Sequence, residues 1–295
     1  MKKAAIYVFS GTGNTRLAAG MVADALKTRG IDTDIVDIRL PYTEPRPQDY
    51  DIVGIAYPIH AFNAPRIVRN FVRTFPRDEG KRVFFFKTSG EPFSPNSSSS
   101  YFISRILEKK GFVNSLDMHM LMPYNIMFRY RDSLAKQMYR HTQRMAALLA
   151  KKIAEERFET PKYKINHTCF AAMLRLQWLG ADINSHLLSV NNKKCVKCYK
   201  CAKDCPSGNI SVREGKLHFD GRCTMCMKCV MLCPQSAVRA GFLQPWKVSG
   251  AYPFKKLDKD ESVPEVYVND DTKGYFRLFR KYYRKTYAEL EKEQL

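Results

Sequence analysis

The sequence predicts an α/β chain in two parts: a five-stranded doubly wound parallel sheet, then a small α+β domain stapled by cysteines. Three observations carry this. An apolar run, Ala4 to Phe9, breaks into a glycine-rich turn and then an amphipathic stretch. Apolar strands recur behind it with helical or turn-rich segments between, the alternation a parallel sheet requires. Further on, eight of the nine cysteines crowd into residues 195–233 in two copies of one spacing.

Lys2 and Lys3 precede the first strand without a secretory signal, so disulfides are not expected. The strand ends in Ser10-Gly11-Thr12-Gly13-Asn14-Thr15, and a helix follows with Ala18, Val22, Ala25 and Leu26 on one face. N–H groups at a helix start carry partial positive charge, so a hydroxyl- and glycine-rich loop there suits a phosphate. No lysine stands where a nucleotide triphosphatase needs one, and the G-x-G-x-x-G spacing is absent. A phosphate monoester is the better fit.

Further strands are expected at Ile31–Ile38, Asp51–Ala56, Arg82–Thr88 and Ser115–Met122. The loops after the third and fourth strands, Tyr57 to Arg66 and Thr88 to Pro92, emerge at the same sheet edge as the phosphate loop. The serine- and proline-rich insert Ser94 to Ser100 reads as a mobile loop gating that edge. A helix from Asp132 to Phe158 buries Leu134, Met138, Met145 and Leu149, sets a row of Lys and Arg opposite, and stops at Pro161. The first domain is thus residues 1–160. Residues 161–190 are apolar, but Arg175, Asp182 and His186 make them a poor membrane span. They read as a helical connector packed between domains, with an interfacial membrane helix as the second reading. Cys169 within them is expected in the core.

Residues 191–240 carry C-x2-C-x2-C-x3-C-P twice: Cys195, Cys198, Cys201, Cys205-Pro206, then Cys223, Cys226, Cys229, Cys233-Pro234. Three cysteines at three-residue steps wrap one face of an iron-sulfur cube, and the fourth ligand comes from elsewhere. Zinc pairs would leave one cysteine of each triplet over. The run resembles bacterial-type ferredoxins. That resemblance implies two [4Fe-4S] clusters with the fourth ligand exchanged, Cys195, Cys198, Cys201 and Cys233 for one, Cys223, Cys226, Cys229 and Cys205 for the other. Where many ferredoxins have glycine after the second cysteine, Tyr199 and Met227 stand here.

Residues 10–15 match the loop S/T-x-T-G-x-T of flavodoxins, and the first domain resembles them. The resemblance implies FMN, its phosphate held by Ser10, Gly11, Thr12, Gly13, Asn14 and Thr15. The ring-side candidates are Tyr57, Pro58, His60, Phe62, Asn63, Thr88, Ser89 and Gly90, with His60 or a residue of Ser89 to Asn96 as candidate proton donor. Taken whole, the chain resembles the EFR1-type flavodoxin-ferredoxin fusion family. What this implies is an FMN and two [4Fe-4S] clusters on one polypeptide. Clusters pass single electrons and a flavin can take two, so an electron-transfer protein linking one-electron and two-electron partners is expected, and air-sensitive clusters point to the cytoplasm of an anaerobe. The alternatives are an FMN-dependent reductase of a quinone, flavin or unsaturated small molecule, or a redox subunit of a larger complex.

The formal net charge is +20, from 49 Lys and Arg against 29 Asp and Glu, and it favours an acidic redox protein such as a ferredoxin, or a small-molecule acceptor. In the extension, residues 241–295, the basic stretch Lys273 to Lys285 sets Phe276, Phe279, Tyr283 and Tyr287 on one stripe. That pattern predicts a helix docked on its own protein; no nucleic-acid motif accompanies it.

Overall fold

The computed structural model describes residues 1–124, 126–248 and 250–295. Strands β1 (Lys2–Val8), β2 (Ile31–Asp37), β3 (Ile52–Pro58), β4 (Arg82–Ser89) and β5 (Val113–Leu121) form one parallel sheet in the order β2-β1-β3-β4-β5. This is the flavodoxin-like winding, which leaves a crevice beyond the carboxyl ends of the strands where the order reverses. The central strands β1, β3 and β4 are almost wholly buried, whereas the edge strands β2 and β5 are only partly so. Helices cover both faces of the centre, so its strands must be apolar on both sides.

One face packs on α1 (Asn14–Lys27) and α4 (Asp132–Ala154), the other on α2 (Arg66–Arg73) and α3 (Tyr101–Glu108). In α1, Ala18, Val22 and Leu26 recur at four-residue steps and are fully buried. The helix α4 ends at Ala154, short of the Phe158 expected, because Glu156 turns into the left-handed region. The insert Ser94 to Ser100 is not a mobile loop. Ser94–Ser98 is a 3-10 helix, Ser98, Ser99 and Ser100 are buried, and the Lys87 ammonium donates to the Ser97 carbonyl at 3.0 Å and the Ser100 hydroxyl at 3.1 Å.

The connector forms α5 (Ile165–Met173) and α6 (Gln177–Leu187). Cys169, expected in the core, is exposed, because it sits on the outward side of α5. The cysteine-rich unit begins at β6 (Ser189–Val190), which pairs antiparallel with β9 (Val238–Arg239). Between them lie α7 (Lys200–Lys203), the hairpin β7 (Ile210–Arg213) and β8 (Lys216–Phe219), and α8 (Lys228–Met231).

Beyond it, α9 (Phe254–Lys259) and α10 (Arg277–Lys292) return to the first domain. Phe279, Tyr283 and Leu290 are buried, and the His141 Nε2 and Thr286 Oγ1 atoms lie 2.8 Å apart. The extension also covers part of the polar side of α4. Lys136 is buried, donating to the carbonyls of Asp260 and Val263, and Gln137 bonds the backbone of Val268. Among the described residues no helix is long and apolar enough to cross a membrane.

Candidate functional site

A cavity of about 560 Å³ lies beyond the carboxyl ends of β1, β3 and β4. Ser10, Gly11, Thr12, Asn14 and Thr15 line one end of it, at the start of α1. The first-turn N–H groups of a helix have no partner within the helix and attract an anion. Hydrogen bonds set the loop's shape: the Gly13 N–H donates to Ser10 Oγ at 3.2 Å, Asn14 Nδ2 to the Pro123 carbonyl at 2.9 Å, and the Thr15 and Thr88 hydroxyls meet at 2.8 Å. Gly13 caps the helix and does not itself line the cavity.

Of the ring-side candidates, Pro58, His60, Phe62, Thr88, Ser89 and Gly90 line the cavity. Tyr57 does not. It points from β3 into the core beneath α2 and α3, where its hydroxyl lies 2.6 Å from Ser100 Oγ, because alternate strand residues face opposite sides. Asn63 is also elsewhere: its amide donates to the carbonyls of Ala61 at 2.9 Å and Ala171 at 2.7 Å, fixing the loop and pinning α5 to it. Ala61 and Phe62 are left-handed, a turn closed by paired backbone bonds between His60 and Asn63. It brings Phe62 to 6.2 Å from Phe93 and 5.3 Å from Phe170, ring centre to ring centre. Burial pushes the His60 imidazole down to about 4, so at neutral pH it is uncharged.

Tyr124, Gln177 and Gly180 carried no signal in the sequence, whereas Glu91 falls within the stretch Ser89 to Asn96 expected to hold a proton donor. Tyr124 packs its ring so close to Gly90 that a Cβ there would lie 2.6 Å from it. The Glu91 carboxyl is pushed above its usual range by burial, with the Tyr124 hydroxyl bonded to it. Gln177 and Gly180 of α6 also line the wall, and Gln177 Nε2 donates to the His60 carbonyl at 2.8 Å. A buried ion pair lies under β4, Lys87 Nζ to Asp117 Oδ2 at 2.7 Å.

The cysteines gather in two sets. Cys195, Cys198, Cys201 and Cys233 line one small cavity, so the first triplet meets the last cysteine of the second repeat. Cys223, Cys226 and Cys229 are electrostatic neighbours of Cys205. The repeats match atom for atom at their fourth cysteines: Asn209 N–H points at Cys205 Sγ at 3.3 Å and Ala237 N–H at Cys233 Sγ at 3.2 Å. Lys197 and Tyr199 are left-handed, as are Met225 and Met227 at the same places in the second repeat. The positions of Tyr199 and Met227 thus ask for glycine on steric grounds, and a side chain there costs roughly 1–2 kcal/mol.

Among the described residues no three His, Cys, Asp or Glu side chains stand close enough together for a single metal ion. A cube with one iron at each of four corners needs thiolates around a cavity, and the first set supplies that arrangement. Burial pushes Cys223 up to about 11 and Cys226 up to about 12, so these thiols need a bound cation to become thiolates, as cluster irons are. The donor set and its N–H partners fit iron-sulfur cubes.

Residues 187–244 match the 4Fe-4S dicluster domain family. No curated protein matches the chain. Among solved structures, the first half is similar to a flavodoxin from the domain Archaea (12% identity over 52% of this chain and 99% of that one, TM-score 0.34). It is also similar to a flavodoxin of Streptococcus pneumonia (19%, 51% and 99%, TM-score 0.38) and to oxidised Flavodoxin 2 from Bacillus cereus (13%, 53% and 99%, TM-score 0.40). Strand order and register, not these distant likenesses, establish the fold.

The dicluster domain abuts the cavity through its second cysteine set. Met225, Cys226 and Met227 line the cavity, and a Cβ on Gly11 would fall 2.2 Å from the Cys226 carbonyl oxygen. Two hydrogen bonds to backbone carbonyls hold the domains together beside it: Leu40 N–H to Pro206 at 2.7 Å and the Arg39 guanidinium Nη2 to Lys203 at 3.0 Å. The first set's cavity is lined by dicluster residues alone, with Cys198 exposed.

Proposed function

We propose that the chain holds FMN in the large cavity and one [4Fe-4S] cluster in each cysteine set, and passes electrons between an external one-electron carrier and the flavin. When bound, the clusters exchange single electrons and the flavin accepts two, singly or as a hydride. The observation that carries this reading is the contact between Gly11 of the phosphate loop and Cys226. On this reading Ser10 to Thr15 hold the phosphate monoester, while Phe62 and Tyr124 offer aromatic contact and Gly90 lets Tyr124 approach. Cys195, Cys198, Cys201 and Cys233 hold the outer cluster; Cys223, Cys226, Cys229 and Cys205 hold the one beside the cavity. The exposed Cys198, with Lys193, Lys194 and Lys197 near it in sequence, favours an acidic carrier at the outer cluster. The chain is then a flavodoxin-ferredoxin fusion of the EFR1 type, with air-labile clusters that belong in the cytoplasm.

One observation favours a second reading, an FMN-dependent reductase of a quinone or other unsaturated small molecule. Glu91 in the cavity has its carboxyl pushed toward the protonated form, next to Tyr124, a proton source that a simple carrier does not need. Anaerobic purification with metal and flavin analysis tests the main reading. The expected result is about eight irons per FMN under a joint flavin and iron-sulfur spectrum. Material that keeps iron but cannot be reconstituted with FMN sinks it. Turnover of a quinone panel above the rate with free flavin would select the reductase.

A further inference from the structure

Helices α5 and α6 are inside out. Their inward side carries the polar groups: Gln177 bonds the His60 carbonyl, Asp182 pairs with Arg66 at 2.8 Å, and the buried Ser185 hydroxyl donates to Asn209 Oδ1 at 2.6 Å. Their outward side is apolar. Ile165, Met173, Leu176, Leu179, Ile183 and Leu187 recur at steps of three, four or eight residues along the two helices and are between 52% and 80% exposed. A helix resting on its own protein shows the opposite pattern, and a continuous exposed apolar surface marks an interaction site.

We propose that this stripe is a membrane-surface anchor, lying in the headgroup region of an anionic bilayer. Charge decides for lipid over a second copy of the chain. The only carboxylate in residues 161–190 is Asp182, which Arg66 neutralises. Lys162 and Lys164 precede the stripe, and α2 sets Arg69 beside Trp178 of α6, with the exposed Arg73 one turn further along. Two copies at +20 each repel, whereas anionic headgroups attract the same charges that flank the apolar side chains. Neither helix is long enough to cross, so the segment lies on the bilayer. Trp246 and Phe242, both exposed on the 3-10 helix Gly241–Trp246 that packs on α6, extend the surface with the aromatic side chains that favour such interfaces. Phe170, exposed on α5, touches Phe62 of the large cavity, so the stripe runs up to the cavity rim.

The test is co-sedimentation of the holoprotein with vesicles of phosphatidylcholine and phosphatidylglycerol, against phosphatidylcholine alone, at low and high salt. The parent should bind the anionic vesicles and release in salt. The double variant Leu179→Glu/Ile183→Glu should bind about tenfold more weakly or less, with iron content and circular dichroism unchanged. If that variant does not accumulate, Leu176→Ser and Leu187→Ser give a smaller loss by the same assay. Failure of the parent to bind anionic vesicles overturns the proposal, as does a variant that binds like the parent. So does a native mass spectrum showing a dimer that Leu179→Glu dissolves, which would assign the stripe to self-association. None of these readouts depends on whether the cavity holds FMN.

Discussion

The Cα of Gly11 lies so close to Cys226 that the Cys226 carbonyl oxygen occupies the space of the missing side chain, 2.2 Å from where a Cβ would stand. The phosphate loop and the second cysteine loop are thereby one packed unit, although 215 positions separate these residues in the chain. The obstacle is backbone, which cannot swing aside as a side-chain tip does.

Gly11→Ala is therefore expected to force the two loops apart. Overpacking of this kind costs roughly 1–3 kcal/mol. Iron content should persist while electron transfer from the clusters to the flavin slows in stopped-flow traces. Parent-like kinetics and an unchanged melting temperature in the variant would show that the contact is not what couples the domains.

The cavity lined by Cys195, Cys198, Cys201 and Cys233 sets a second expectation. Cys233→Ala should disturb the cluster of the first triplet and leave that of the second, lowering iron from about eight to about four per chain. Cys205→Ala should do the reverse. Electron paramagnetic resonance of the two variants separates the sites; loss of the cluster in the same repeat as the substitution contradicts the exchange.

Lys87 and Asp117 are buried together, the one at 1% and the other at 5% side-chain exposure. Burial pulls the lysine down and pushes the carboxyl up, while each partner opposes that shift in the other. Lys87→Met strands the carboxyl and is expected to cost about 3–5 kcal/mol in urea unfolding, whereas Lys87→Met/Asp117→Leu should recover much of the loss. A single variant as stable as the parent would mean that Asp117 does not need the Lys87 ammonium.

His141 ties α4 to α10 through Thr286, and burial holds its imidazole down at about 3. The half-buried His119, 2.7 Å from the Ser89 hydroxyl, is likewise held at about 3 by desolvation. In the unfolded chain each titrates near 6.5, so below that pH the unfolded state binds the extra protons. Their stabilising contribution is present above pH 6.5 and is lost as pH falls toward 3. Between pH 6.5 and pH 5 each should cost about 2 kcal/mol. Denaturant midpoints measured across that range should fall, and less steeply in His141→Gln; equal slopes in parent and variant would rule the histidine out as the cause.

Much of this chain is written in short-range pattern. The step of four from Ala18 to Leu26 marks α1, the apolar runs mark β1 to β5, and the cysteine spacing marks the dicluster domain, because period and ligand spacing are properties of neighbouring residues. Ser10 to Thr15 announce the phosphate loop for the same reason. Tyr57, Lys136 and the connector lie beyond such pattern. Tyr57 looked like a ring contact until strand alternation turned it inward, and Lys136 looked solvated until Asp260 and Val263, over 120 residues later, supplied carbonyls for its ammonium. The outward apolar stripe of α5 and α6, the approach of Tyr124 to Gly90 and that of Gly11 to Cys226 are of this kind. Which face of an element is covered depends on partners far along the chain, and folding alone brings them together.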